Sequence, residues 1–129
     1  MKTLTGWALI AGSLLLFSFR TLFGLDAVTT AIRMGDVEKL SPYLDYRVDI
    51  GLPDKNDSYS KSQAEMVIRD FFITNVVKNF EVKQKGENNG FEYCVGLLQT
   101  SHGNYRTSLF MKQKGEKLLV EELRFQPVP

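Results

Sequence analysis

The sequence predicts an α+β domain, on three observations. Apolar residues recur at helical spacing before residue 41 and again over residues 61–73. From Phe80 onward apolar and polar residues alternate, the pattern of half-buried strands. Short turn-rich connectors separate those later runs. Helices gathered early and strands late place helices over one face of an antiparallel sheet.

Each element has its own justification. In LDAVTTAIRM, residues 25–34, Val28, Ala31 and Ile32 share a helical face with Leu25, and Asp26 puts a negative charge in the first turn. Gly35 is placed to end this helix in the left-handed conformation. Asp36 can cap a second short helix through Leu40, with Val37 and Leu40 as its apolar pair. Pro42 turns the chain, and Tyr43 and Leu44 tuck inward. Tyr46 to Leu52 alternates as a short strand: Val48 and Ile50 on one face with Tyr46 beside them, Arg47 and Asp49 on the other. Residues 53–58, PDKNDS, read as a polar turn.

The clearest helix follows over residues 61–73. Ser60 and Gln63 have capping-box spacing, and Ala64, Val67, Ile68, Phe71 and Phe72 make a wide apolar stripe. Beyond it, Phe80 and Val82 alternate with Glu81 and Lys83. KGENNG (85–90), SHGN (101–104) and KGEK (114–117) are turns. They separate strands over 91–100, 105–113 and 118–125. In the last strand the set Leu119, Glu121, Leu123 and Phe125 is expected to face the core, with Glu121 out of character.

Residues 1–24 stand apart. Lys2 is followed by an uncharged, mostly apolar run from Leu4 to Phe19, the pattern of an export signal. The run is short against the roughly 20 residues of a spanning helix. No small-x-small cleavage site follows it, although Gly24 would suit the residue before a cut. A cleaved signal, a retained N-terminal anchor and a buried core helix remain alternatives, with export to the periplasm or cell envelope the expectation. A single domain over 25–129 follows. The chain has 16 basic and 15 acidic residues. Lys2 and Arg20 belong to the leader, so residues from 25 onward carry 14 basic against 15 acidic. Near-neutral charge gives no case for nucleic acid as a partner. Any membrane contact is expected only through the first segment, if that segment is retained.

Three stretches carry a family resemblance: AVTTAIRMGDVEKLSPYL, YSKSQAEMVIRDFF and GLLQTSHGNYRTSLFMKQKGEKLLVEELRF. Over about Asp26 to Phe125 the chain resembles a family of exported Bacteroidetes proteins, domain of unknown function 4783. That family is similar to the cystatin-like, nuclear transport factor 2-like (snoaL-like) superfamily. The resemblance implies a cone-shaped cystatin-like fold, with N-terminal helices packed against a strongly curved antiparallel sheet. In related families the open end of the cone can be a binding pocket, an active site or a dimerisation surface. The resemblance brings no activity with it.

Reactive residues are sparse. One cysteine and one histidine exclude an internal disulfide framework and any thiolate-rich or multi-histidine metal site. His102 sits in the SHGN turn and reads as a polar turn residue. Cys94, within a strand, reads as a buried small apolar residue. Asp45, Asp49, Asp54 and Asp57 lack the spacing of a calcium loop and read as a solvated acidic stretch. Asp70 is expected on the exposed side of its helix. The lysines at 78, 83, 85, 112, 114 and 117 read as solvated surface, and no glycine-rich phosphate loop is present. Glu121 and Glu122 point to opposite faces of a strand and cannot form a carboxylate dyad, though one can pair with Arg106 or Arg124. The pocket candidates are Tyr93, Tyr105, Glu122 and Arg124. No catalytic, cofactor or metal residue is assigned and no cofactor is expected. The sequence favours a non-catalytic domain binding a small molecule or an envelope protein, with a homodimer through the open sheet face as a further expectation. The alternative is a cofactor-independent hydrolase or isomerase with a polar pocket in the cone.

Overall fold

The computed structural model describes residues 24–129. The leader, and with it the question of cleavage or anchoring, lies outside the described residues. Helix α1 is described over residues 24–34 and ends at Gly35, whose φ of +61° is the left-handed cap its sequence predicts. Asp36 accepts a hydrogen bond from the Lys39 backbone N–H at 3.2 Å and caps α2, Val37–Leu40. A single 3-10 turn, Ser41–Tyr43, leads into β1, Leu44–Gly51. Then come β2 (Asn56–Ser60), α3 (Lys61–Thr74), β3 (Val77–Asn88), β4 (Phe91–Thr100), β5 (Gly103–Lys114) and β6 (Lys117–Pro127).

The six strands form one sheet in the order β2-β1-β6-β5-β4-β3. β3 to β6 are the expected meander. The sheet is mixed rather than purely antiparallel, because β1 runs parallel to β6. A parallel neighbour needs a crossover connection, and here everything from β2 to β5 supplies it. The PDKNDS segment is also not a simple turn. Leu52 and Lys55 exchange backbone hydrogen bonds at 2.7 and 3.3 Å, and β2 pairs back onto β1. Its mostly polar residues give no apolar alternation to read; backbone pairing with β1 holds it, helped by Tyr59 against the core and by Arg47 donating to Ser58, as suits a short edge strand. Nor does the 85–90 segment turn throughout: β3 continues to Asn88, and Asn89 and Gly90, both at positive φ, make the turn.

Irregular pairing bends the sheet. Register shifts occur twice along β3–β4, once along β5–β6 and once along β1–β6. In β6 the shift falls at Glu121: Phe110 faces Glu122 and Met111 faces Val120, leaving Glu121 with no opposite residue. The inward set therefore changes phase, from Leu118 and Val120 to Leu123 and Phe125. This corrects the expected face, because Leu119 and Glu121 do not point to the core. The irregularity in β1 similarly turns Tyr46 outward, 73% exposed, while Leu44, Val48 and Ile50 are buried.

The concave face of the sheet is filled. Phe80, Leu98, Leu109, Met111, Leu123 and Phe125 from the strands meet Val28 and Ile32 of α1 and Ile68 of α3, all below 2% exposed. The α3 stripe buries Ala64, Ile68, Phe71 and Phe72, with Val67 partly covered. Phe71 stacks on Phe125 at 4.2 Å and meets the Tyr105 ring edge-on at 5.1 Å. The capping box of α3 is present in both directions between Ser60 and Gln63. Among the described residues no helix is long and apolar enough to cross a membrane.

Candidate functional site

The sequence-derived candidates do not converge on one pocket. Tyr105 lies on the concave face, and its hydroxyl donates to the Asn75 side chain at 2.8 Å. Tyr93, Glu122 and Arg124 lie on the convex face, where Tyr93 faces Phe110 and Phe110 faces Glu122 across successive strands. Glu122 and Arg124, two residues apart on one strand, form an ion pair. Arg124 also lines a shallow depression at the sheet edge with Gly51 and Asn56. The Tyr93 ring lies where a β-carbon on Gly86 would stand, with atoms within 2.6 Å.

Other sequence readings meet mixed outcomes. His102 is exposed in its turn, its Nδ1 3.3 Å from Ser101 Oγ. Asp70 is exposed on α3. Cys94 is buried, and burial pushes its thiol pKa up to about 11. Asp45 is not part of a solvated stretch: its side chain is buried and forms an ion pair with Lys114. That contact holds the Lys114 ammonium above its ordinary range, against an opposing desolvation effect. Neither residue is therefore plain surface. They tie the end of β5 to the start of β1, a contact invisible to sequence spacing.

The structure brings forward a different residue, Glu92. Inward-facing positions of β4 run Glu92, Cys94, Gly96, Leu98 and Thr100. A carboxylate thus occupies a core position at the end of an apolar row, where it is 6% exposed. Its Oε2 is buried with no hydrogen-bond partner. Glu87 stands directly opposite on β3, a like-charge cross-strand pair. Helix α1 delivers Asp26 from the other side. With Leu25, Lys85 and Gly86 these acids line a cavity of about 190 Å³ between the start of α1 and the β3–β4 hairpin. Burial first, then the charges of Glu87 and Asp26, hold the Glu92 carboxyl above the usual range, while Lys85 acts in the opposite sense. Sequence parity with Cys94 and Leu98 is the signal that could have singled out Glu92.

The filled concave face and this mouth cavity can be set beside known proteins. The family model described as Domain of unknown function (DUF4783) matches residues 25–126. A DUF4783 family protein from Bacteroides uniformis is similar in structure, with a TM-score of 0.78 and 26% identity over 81% of this chain and 96% of that one. One from Bacteroides ovatus gives 0.77 and 26% over 80% and 94%. An NTF2-like protein of unknown function from Cytophaga hutchinsonii shares the fold alone, with a TM-score of 0.59 and 8% identity over 81% and 87%. No curated protein matches.

Proposed function

The chain belongs to the DUF4783 family, and from the packing of its cone we propose that it is a non-catalytic binding domain, exported to the periplasm or cell envelope. One observation carries the reading. The hollow in which a cone of this kind could hold a substrate is occupied by the protein's own Phe71, Phe125, Phe80 and Leu98. Close-packed side chains leave a substrate no room there. What can engage another molecule lies at the periphery. The mouth cavity beside Glu92 is one such place. Another is the end of the molecule where Ser101 is hydrogen-bonded to Val76, with Ile73 and Val76 more than half exposed.

The rival reading, a cofactor-independent hydrolase or isomerase, has Glu92 in its favour, since a carboxyl held above its usual range suits a general acid. Proton transfer needs a second positioned group. Among the described residues Glu92 Oε2 has no hydrogen-bond partner.

Purification from the native cells, with mass spectrometry of everything retained, tests the binding reading. A discrete small molecule or envelope protein held in stoichiometric amount is the expected result; a chain recovered alone overturns it. Fractionation and the mass of the first residue test export, which an intact leader on a cytosolic protein would refute.

A further inference from the structure

We propose that the convex face of the sheet binds a second copy of this chain, with β4 of one copy lying along β4 of the other. The inference goes beyond the binding reading and concerns a different surface. A sheet that packs one face on the core normally carries polar residues on the other. Here the outward positions of β4 are Phe91, Tyr93, Val95 and Leu97, each part-buried, before the first exposed polar one, Gln99. Phe110 of β5 and Leu119 of β6 extend the apolar area across the neighbouring strands. The Phe91 and Phe110 rings stand 5.0 Å apart. Strand β4 is therefore apolar on both sides, the pattern of a strand that is covered on both. Aromatic residues at the centre with arginine near the border is also the composition of a protein interface.

Charge complementarity identifies the occupant. Glu81 of β3, Leu97 of β4 and Arg106 of β5 stand in one register row, so an acid and a base flank the apolar column on opposite sides. Both are exposed. Glu81 pairs with Lys83 at 3.1 Å, both more than half exposed, a contact weak enough to be exchanged. A second copy turned about a two-fold axis along β4 lays its β3 over β5 of the first. Arg106 then meets Glu81 of the second copy, and the symmetry makes that pair twice. In the same arrangement Lys112 meets the uncharged Asn88, and Phe110 meets the Tyr93 ring where it lies over Gly86. A two-fold axis across the strands would lay β5 on β5 and set Arg106 against Lys112, two like charges. Either arrangement suits sheets packed face to face about 10 Å apart, and the charges select the first. From residue 25 onward the chain carries 14 basic against 15 acidic residues, so two copies meet without appreciable net repulsion.

Sedimentation equilibrium of the protein as recovered from its native cells, over a dilution series, tests the proposal. The expected result is the mass of two chains, falling toward one on dilution. Leu97→Lys puts a charge in the centre of the face and is expected to give single chains throughout. Arg106→Glu and Glu81→Arg change exposed positions, so folding is kept, and each is expected to weaken dimerisation about tenfold or more. The two together exchange the charges and are expected to restore it. A single-chain mass at every concentration overturns the proposal, as does a Leu97→Lys variant that dimerises like the parent. A combined variant no tighter than either single one overturns the arrangement about β4. A dimer recovered with nothing else bound overturns the binding reading and leaves this interface standing; a single chain that retains another molecule does the reverse.

Discussion

Gly96 shows how closely single residues are fitted here. A β-carbon at this position would lie 2.6 Å from the Glu81 carbonyl oxygen and 2.6 Å from the Phe80 ring. The first neighbour is backbone locked in the β3–β4 ladder and the second is a fully buried ring, so neither gives way easily. Gly96→Ala is expected to cost about 2 kcal/mol, read as a lower urea midpoint at unchanged slope. Glu92 carries a pH signature instead. The folded protein holds its proton more tightly than the unfolded chain does. Below the unfolded carboxyl value, about 4.3, both states are protonated and the group has no effect. As pH rises from there through the folded value, the unfolded state releases its proton first and native stability falls. Glu92→Gln removes that loss. The variant should melt above the parent at pH 7 and the difference should close near pH 4. A constant difference across that range would refute the assignment. Both residues were partly legible: alternation with Cys94 and Leu98 places Gly96 and Glu92 inward. What the alternation could not convey is which cross-strand atoms meet them.

At the scale of elements, legibility followed how each element is held. Helix α3 is specified locally, by its capping box and apolar stripe, and its limits are readable to within a residue. Strand β2 is specified by its neighbour: Asn56 to Ser60 pair with Gly51 to Arg47 through backbone groups, and its side chains carry no pattern. Strict alternation assigns the wrong face to the start of β6 because it assumes an unbroken ladder. Glu121 interrupts that ladder, and the apolar pairs Leu118–Val120 and Leu123–Phe125 sit in opposite phases on either side of it. The adjacent acids Glu121 and Glu122 mark the change, since two consecutive polar residues are what a phase shift between apolar pairs requires. Deleting Glu121 should restore a regular strand and leave Leu118, Val120, Leu123 and Phe125 alternating on one face, with both apolar pairs still inward. The deletion variant is expected to unfold cooperatively at a urea midpoint near the parent's. Loss of cooperative unfolding, or exposure of enough apolar surface to bind a hydrophobic dye, would show that the bulge itself is needed to seat the two pairs against the core.

At the scale of the whole molecule, helix order and strand alternation point to an α+β fold with helices over one sheet face, and the family resemblance implies a cone, while the state of its interior lies beyond any sequence pattern. Whether a cone is hollow depends on how far inward-facing side chains from different elements reach. The deciding contacts join residues far apart in the chain, such as Phe71 of α3 with Phe125 of β6. Phe125 is 1% exposed and lies within 6.1 Å of both Phe71 and Phe72, centroid to centroid. Truncating it should therefore act on the interior as a unit. Phe125→Ala is expected to cost about 3–5 kcal/mol, the sum of lost burial and an unfilled cavity. The space left is walled by aromatic and aliphatic groups, so it should stay dry and accept a small apolar guest. Thermal unfolding in benzene-saturated buffer checks this directly. The variant should recover part of its lost melting temperature in benzene, and the parent should show no comparable gain. A parent stabilised as much as the variant would mean that the cone already holds a usable void, and the reading of a filled, non-catalytic interior would fall with it.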